Sequence, residues 1–398
     1  MSVPELIEES GYEVEVHEAI TSDGFLLQLH RIPSQGEPVL LMHGLLCSSY
    51  CWLTSGPDSL GFLLSDLGYD VWLGNFRGTK YSRQHTSLNP DEDAEFWRFT
   101  LHELGVNDLA TMIGTVLEIS GKTSLSFVGH SMGTTAFLIL ASCRPREVEA
   151  VSRAVLLAPV VEPHNMRNIV SKLSGLHRLV WGSFMPQPFS QVLSVGLRVV
   201  RATRDPSLFF DDGTHYLGPP TSCHPEVSDH LKLLISKPLY HCRLGPFSGS
   251  RDSKLASQIV EHARSSKTSI YAVLHYAQNI ANKVFTAYDW EDAKENTKRY
   301  GVAEPPSYQL SEINTETALF WSPLDSLSSK EDMERLVKEL PNVVACRKMD
   351  LGHLDYLWGS EVSCPGHLYN QMIELLPKAD QSSHMPNKLA MGTMMSRT

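Results

Sequence analysis

Residues 124–142, SLSFVGHSMGTTAFLILAS, decide the fold, because a serine stands here between two glycines at the junction of two different patterns. An apolar, strand-like run precedes the motif GHSMG (129–133), and a helix-like run follows it. The motif alone is common by chance, but a strand before it and a helix after it are the context of a sharp turn that exposes a serine hydroxyl. We interpret Ser131 as a candidate nucleophile. The alternative is a serine that only shapes the turn.

Short apolar runs, typical of strands buried on both faces, recur around this motif: PVLLMHG (38–44), YDVWLGN (69–75), LSFVGH (125–130) and AVLLAP (154–159). Helix-like patterns lie between them, and one of these places Leu104, Leu109, Ile113, Val116 and Leu117 on one face. Residues 12–32 alternate around a Ser-Asp-Gly turn and predict an antiparallel hairpin. The order predicts an α/β fold, a mostly parallel sheet flanked by helices, with ligands at the carboxyl ends of the strands.

The alternation of strands and helices stops after residue 161 and resumes with TALFW (317–321). The composition between them turns to Pro, Gly, His and short amphipathic pieces, which indicates a helical insertion over the site. A helix over 329–339, a strand in 342–350 and a last helix over 361–376 complete the core. We therefore predict that residues 1–161 form the first part of the core and residues 162–311 a helical cap or lid. Residues 312–377 are predicted to form the second part of the core, and residues 378–398 a disordered tail.

Composition excludes several classes of function. The net charge of −11, without a basic cluster, argues against nucleic-acid binding. No apolar run is long enough to predict a transmembrane helix. Seven scattered cysteines without a Cys-x-x-Cys pair predict neither a zinc site nor a disulfide framework. The first residues lack a secretory signal pattern and no Asn-x-Ser/Thr acceptor occurs, so the sequence leaves the compartment open.

A serine nucleophile requires a histidine base and an orienting acid, which in this fold follow in the order Ser, Asp/Glu, His. His353 lies in DLGHLDYLWG, after the last strand-like run and before the last helix-like one. Asp325 follows TALFW by a few residues, again at the carboxyl end of a predicted strand. We predict that Asp325 orients His353 as the general base. Three other acids remain as alternatives: Asp332, Asp350 and Asp355.

The oxyanion of an acyl-transfer intermediate needs two backbone donors. One is expected from the residue after the nucleophile, Met132, and the other from an early loop. LLMHGLLCSS supplies that loop, with the N–H of Leu45 as the expected donor and His43 holding the loop in place. This chemistry requires no metal and no organic cofactor. Other reactive residue types are interpreted as structural, namely His102, His130 and His275 as packing or capping residues, and Cys47 and Cys51 as buried thiols.

Six motifs, in this order along the chain, resemble those of the acid lipase family of α/β hydrolases: HGLLCSS, GYDVWLGNFRGTKYSRQH (68–85), FWRFTLHELGVNDLATMI (96–113), VGHSMGTT, HYAQNIANKVFTAYDW (275–290) and GHLDYLWG. The resemblance runs from about Tyr12 to Leu376. It implies an α/β-hydrolase fold with a cap lined by apolar groups, hydrolysis of lipid esters such as acylglycerols or sterol esters, and transient contact with lipid–water interfaces. It also implies the same roles for Ser131, Asp325, His353, Leu45 and Met132.

The chain departs from the family pattern at several positions. Met132 stands where the family commonly has Gln, and FWSPLDSL (320–327) lacks the Gly-Gly pair that precedes the family's acid. Cys242 has Ile235 near the position where the family would supply a disulfide partner. Two other functions stay open: a carboxylesterase acting on short soluble esters, and a lipid carrier that keeps the fold without catalysis.

Overall fold

The computed structural model of the chain describes residues 1–161 and 266–378, and the strands of these two ranges form one nine-stranded sheet. Its order is β1-β2-β4-β3-β6-β7-β8-β9, with β5 beside β2. The strands are β1 Glu15–Ile20, β2 Phe25–Ile32, β3 Pro38–Met42, β4 Asp70–Leu73, β5 Gln84–His85, β6 Leu125–His130, β7 Val151–Leu157, β8 Thr317–Trp321 and β9 Val343–Lys348. All pairs from β4 to β9 in this order are parallel.

The predicted hairpin at 12–32 is confirmed as the antiparallel pair of β1 and β2. Its turn closes through two backbone hydrogen bonds, from Thr21 N–H to Phe25 O and from Gly24 N–H to Thr21 O, both 2.9 Å long. Gly24 has φ +92°, in the left-handed region that glycine enters without a steric penalty. β2 then pairs antiparallel with β4, so the hairpin extends one side of the parallel sheet.

The central strands are buried on both faces, as their continuous apolar runs predicted. Every residue of β3, β4 and β6 is buried. Because side chains alternate along a strand, β3 sends Leu40 into one hydrophobic core and Val39 and Leu41 into the other. The predicted α/β fold, a mostly parallel sheet covered by helices, is confirmed.

The helices of the described ranges are α1 Val3–Glu9, α2 Leu60–Asp66, α3 Leu101–Glu103, α4 Ala110–Ser120, α5 Met132–Cys143, α6 Ile270–Asn282, α7 Ala293–Tyr300, α8 Lys330–Glu339, α9 Asp355–Trp358 and α10 Leu368–Ile373. The predicted helix at 329–339 agrees with α8. The last helix was predicted over 361–376, but α10 is shorter and is preceded by turns. α9 was not predicted, because its single turn is too short to show helical periodicity.

A π-helical turn, Leu104–Leu109, joins α3 to α4. The sequence predicted Leu104 and Leu109 on one helical face, although five residues do not complete a whole number of α-helical turns. The wider π turn allows both side chains to be fully buried. The same turn buries Asp108, whose carboxylate accepts hydrogen bonds from Arg77 N–H at 2.9 Å and Arg77 Nε–H at 2.7 Å. The turn thus ties the helix to the loop after β4.

The predicted cap, 162–311, falls mainly outside the described residues, which resume at 266. Within its described part, α6 packs on the sheet's helical layer, where the hydroxyls of Tyr276 and Thr135 lie 2.7 Å apart. Arg299 of α7 forms an ion pair with Glu103, with 3.0 Å between Nη1 and Oε1. The boundaries of the cap stay a prediction. All but the first residue of the predicted tail, 378–398, also lies outside the described residues.

Within residues 1–161 and 266–378, no helix has the length and apolarity needed to cross a bilayer.

Candidate active site

The sheet has a switch point where the chain leaves β3, forms β4 on one side and later returns to form β6 on the other. Ligands of α/β proteins bind in the crevice at such a point, beyond the carboxyl ends of the strands. β3 and β6 are in register with Met42 opposite Gly129, so the loops after these two strands begin side by side. The candidate oxyanion loop and the candidate nucleophile are therefore neighbours.

Ser131 occupies the sharp turn between β6 and α5, with φ 53° and ψ −114°. A left-handed φ is strained for a non-glycine residue and persists only where packing enforces it. The two flanking glycines explain how the turn fits. A Cβ on Gly129 would lie 2.9 Å from the carbonyl carbon of Gly133, and a Cβ on Gly133 would lie 2.6 Å from the carbonyl oxygen of Met42. Only glycine allows these approaches between backbone segments, which hold the serine at the turn.

Three predicted site residues form one hydrogen-bonded chain. His353 Nε2 lies 2.9 Å from Ser131 Oγ, and His353 Nδ1 lies 2.7 Å from Asp325 Oδ2. An ionised carboxylate only accepts, so Nδ1 carries the ring proton and the bare Nε2 can accept the serine proton. All three residues are buried: Ser131 is 7% exposed, Asp325 4% and His353 3%. Water therefore screens their interactions only weakly. This geometry suits a hydroxyl nucleophile, a base and an orienting acid.

The three alternative acids do not contact His353 in this way. Asp332 lies in the first turn of α8, where it pairs with Arg335. Asp350 is exposed, and the buried Asp355 accepts a hydrogen bond of 2.9 Å from Gly352 N–H. Asp325 is instead held at the end of β8, where its second oxygen accepts from Leu327 N–H at 2.8 Å. Among the alternatives weighed from the sequence, Asp325 alone meets the imidazole.

The candidate oxyanion donors lie at the ends of the neighbouring strands. Met132 begins α5, where helix geometry leaves backbone N–H groups without intrahelical partners. On the other side, a Cβ on Gly44 would lie 3.1 Å from Ser131 Cβ, so the loop of Leu45 reaches the nucleophile closely. Leu46 has φ 59°, which marks a second strained turn at this edge of the sheet. These positions are compatible with two N–H donors on either side of Ser131 Oγ.

His43 fixes the orientation of the peptide that carries the Leu45 N–H. Its Nδ1–H donates to Gly44 O at 2.8 Å, while its Nε2 accepts from Phe76 N–H at 3.2 Å. Because a trans peptide points its C=O and N–H in opposite directions, holding the Gly44 carbonyl also directs the Leu45 N–H. Burial lowers the pKa of His43 to about 4, so the ring stays neutral and keeps this tautomer. The predicted structural role for His43 agrees with these contacts.

Two further side chains contact the loop of His353 and were not assigned to the site from the sequence. His130 Nε2–H donates to the carbonyl oxygen of His353 at 3.0 Å. Ser322 Oγ accepts from Leu324 N–H at 3.0 Å and from Leu351 N–H at 3.1 Å. The sequence offered partial signals, because His130 lies inside the serine motif and Ser322 lies where the chain departs from the family's Gly-Gly pair. Neither signal reveals a contact between distant segments.

The remaining residues singled out from the sequence have structural surroundings. His102 Nδ1 lies 3.0 Å from Tyr308 OH, and His275 Nε2 lies 2.7 Å from Thr286 O. Cys51 is buried and Cys47 half-buried, and neither forms a disulfide. Burial raises the pKa of the Cys51 thiol, which disfavours the reactive thiolate. The described ranges contain no group of three or more His, Cys, Asp or Glu residues that could hold a metal ion.

Two family models match parts of the chain. A model of the α/β-hydrolase fold matches residues 37–207, and a model of a partial α/β-hydrolase lipase region matches residues 3–56. The solved structure of Est816, described as an N-acyl homoserine lactone-degrading enzyme, matches with a TM-score of 0.51 at 13% identity, over 90% of this chain and 100% of that one. At this identity the likeness concerns the fold alone. The chain is an α/β hydrolase.

Curated relatives identify the branch. Lipase 1 of Drosophila melanogaster is 32% identical over 393 residues, which cover 96% of this chain and 81% of the fly protein. Gastric triacylglycerol lipase of Bos taurus is 31% identical over 394 residues, which cover 94% of this chain and 91% of the bovine protein. The chain therefore belongs to the acid lipase family, as its motifs predicted, and is an ester-hydrolysing enzyme.

Proposed function

We propose that this enzyme hydrolyses carboxylic esters of lipids, acylglycerols or sterol esters, through an acyl-enzyme intermediate on Ser131. The observation that carries the proposal is the buried hydrogen-bonded chain from Asp325 through His353 to Ser131. The lipid character of the substrate is taken from the relatives, two of which bear the names lipase and triacylglycerol lipase. A non-catalytic carrier would have no need of this buried chain.

In the first half-reaction, Ser131 Oγ attacks the ester carbonyl carbon while His353 Nε2 takes the hydroxyl proton. The carbonyl oxygen becomes an oxyanion between the N–H groups of Leu45 and Met132. Asp325 keeps the Nδ1–H tautomer and stabilises the imidazolium. When the tetrahedral intermediate collapses, the bond from carbon to the alcohol oxygen breaks, and His353 donates the proton to the departing alcohol.

In the second half-reaction, a water molecule attacks the acyl-serine carbonyl, and His353 again accepts the proton. The new tetrahedral intermediate collapses to a carboxylic acid, and the proton returns to Ser131 Oγ. The same two N–H groups bind the oxyanion in both halves. The N-terminus of α5, directly after Ser131, adds the positive end of a helix dipole next to this negative charge.

Rates on an ester series with short, medium and long acyl chains, each dissolved and emulsified, test the proposed substrate class. The expected result is a higher rate on emulsified long-chain acylglycerols or sterol esters than on dissolved short-chain esters. Ser131→Ala supplies the blank for uncatalysed hydrolysis. Faster turnover of dissolved short esters, with no increase on emulsions, would instead identify a carboxylesterase. No hydrolysis above the Ser131→Ala blank on any ester would identify a carrier.

A further inference from the structure

We propose that Ser322 and His130 are positioning residues, which hold the loop of His353 from two sides and so set the alignment of the base with the nucleophile and the acid. The inference rests on the proposed function of His353 as the base. It assigns no chemical step to either side chain, because both contact the backbone of the loop and neither contacts Ser131 Oγ or the carboxylate of Asp325 in the described hydrogen bonds.

Ser322 ties the turn of the acid to the loop of the base. It follows β8 directly and is fully buried. Its hydroxyl oxygen accepts hydrogen bonds from Leu324 N–H at 3.0 Å and from Leu351 N–H at 3.1 Å. Leu351 lies 29 residues after Ser322 in the sequence. A hydroxyl has two acceptor lone pairs, so one oxygen can satisfy both donors. The backbone carbonyl of Ser322 also accepts from Asp325 N–H at 3.2 Å. One residue thereby fixes the spacing between acid and base.

His130 holds the same loop from the side of the nucleophile. Its Nε2–H donates to the carbonyl oxygen of His353 at 3.0 Å, and the two imidazole rings lie 5.0 Å apart between centroids. Its Nδ1 faces Gly44, because a Cβ on that glycine would lie 3.0 Å from the nitrogen. Burial lowers the pKa of His130 well below its usual value, so the ring is neutral, and the carbonyl acceptor places its one proton on Nε2.

The two contacts restrain different parts of a short loop. Ser322 holds the N–H of Leu351, and His130 holds the carbonyl of His353, two residues later. Gly352 N–H donates to the carboxylate of Asp355 at 2.9 Å, so the loop is also closed on itself. A displacement of about 1 Å between reacting groups can lower a rate about 100-fold. Loss of either outer contact should therefore reduce turnover without removing any reacting group.

The first test compares Ser322→Ala with Ser328→Ala. Ser328 is a buried serine of the same segment, and its hydroxyl has no hydrogen-bond partner within the described residues. The assay uses one dissolved ester, so that binding to an emulsion does not enter the rates. We expect S322A to lower kcat about 10- to 100-fold with KM nearly unchanged. S328A should stay within about twofold of wild type, because its hydroxyl makes no hydrogen bond within the described residues.

The second test compares His130→Leu with His130→Gln, whose amide nitrogen can replace the Nε2 donor. His275 offers matched controls, because its Nε2 also contacts a backbone carbonyl, Thr286 O, at 2.7 Å. We expect H130L to lower kcat about 10- to 100-fold and H130Q to recover most of that loss. H275L should leave kcat per folded molecule unchanged, although it removes a buried donor of the same kind.

A third readout is the rate at which a soluble fluorophosphonate labels Ser131, corrected for the folded fraction by circular dichroism. This rate reports the alignment of His353 with Ser131 and does not depend on binding of a lipid ester. Slow labelling of S322A and H130L, with control variants at the wild-type rate, supports the inference. Wild-type labelling rates in both S322A and H130L would overturn it while leaving the proposed function intact. If H130L does not fold, S322A decides alone. Absence of labelling in the wild-type protein would overturn the proposed function instead.

Discussion

Two turns supply parts of the same candidate site with different kinds of structure: the sharp turn after β6 that carries Ser131, here called the elbow, and the turn after β8 that carries Asp325, here called the acid turn. The elbow is enclosed by backbone, with Ser131 at φ 53° and Gly133 so close to Met42 that a Cβ would lie 2.6 Å from its carbonyl oxygen. The acid turn lies nearer the sheet edge, where Leu324 is 42% exposed beside the buried Asp325. One turn is fixed by sterics and the other by hydrogen bonds.

From this difference we expect the two turns to tolerate sequence change differently. The elbow needs glycine at two positions because backbone atoms occupy the space of a side chain. The acid turn needs only to present a carboxylate to His353, and Ser322 and Leu327 hold it there through hydrogen bonds. This chain has no Gly-Gly pair before Asp325 and still places that carboxylate 2.7 Å from the imidazole.

The largest expected effect is at the elbow. Ser131→Ala should lower kcat about 10⁶-fold, and the double variant with His353→Ala should lose no more, because the residues of a triad act as a unit. Initial rates on a dissolved ester measure both. Retention of more than a tenth of the wild-type rate by S131A would contradict the assignment of the nucleophile.

At the acid turn, Asp325→Asn should lower kcat about 10⁴-fold, because the amide no longer selects the Nδ1–H tautomer of His353. Asp350→Asn is the control, since Asp350 is an exposed carboxylate in the loop of the base. It should stay within about twofold of wild type. The reverse outcome, a large loss of kcat in D350N and none in D325N, would show that Asp350 rather than Asp325 orients His353.

The steric limit of the elbow is tested by Gly133→Ala against Gly114→Ala. The first adds a methyl group against the backbone of Met42, whereas Gly114 lies in α4 with nothing within 4 Å of its Cβ position. G133A should lower the free energy of unfolding by about 1–3 kcal/mol. G114A should raise it by about 0.5–1 kcal/mol, because alanine suits a helix interior better. Equal stability of the two variants in urea titrations would contradict the steric account.

Neutral buried histidines, one beside the elbow and one in α6, predict a pH dependence of stability. Burial lowers the pKa of His43, beside the elbow, and of His275, in α6, to about 4. Between pH 6.5 and 4 the unfolded chain binds protons at these residues while the folded chain does not, so stability falls as pH falls. Each fully buried ring contributes at most about 3 kcal/mol to that loss.

Unfolding by urea at pH 7.5 and at pH 5 measures this slope. His275→Gln removes a buried ring that lies in α6 and not at Ser131. It should reduce the difference in unfolding free energy between the two pH values by about 1–2 kcal/mol. An unchanged difference in H275Q would show that His275 is not a neutral buried ring.

The sequence predicted the features that depend on local pattern. Most strands follow from continuous apolar runs, the hairpin from an alternating run and the elbow from a short motif, whereas the two-residue β5 was not predicted. The structure brings Ser131, Asp325 and His353 together. The π turn at Leu104–Leu109 was missed because apolar spacing does not separate a π turn from an α-helix. α10 was predicted too long because the residues before it form turns.

The contacts of Ser322 and His130 with the loop of the base could not be predicted for a different reason. They join segments 29 and 223 residues apart, and each depends on the orientation of one backbone group. Local propensity and periodicity contain no information about such contacts. His130 was therefore interpreted as a packing residue, although its ring lies against that of His353.

Mapping of a fluorophosphonate adduct by peptide mass spectrometry tests the central claim most directly, that His353 activates Ser131 at the carboxyl end of β6. We expect a single adduct on the peptide that contains Ser131, formed slowly in Asp325→Asn and not detectably in His353→Ala. An adduct on another residue, or labelling of Ser131 in His353→Ala at the wild-type rate, would contradict the account.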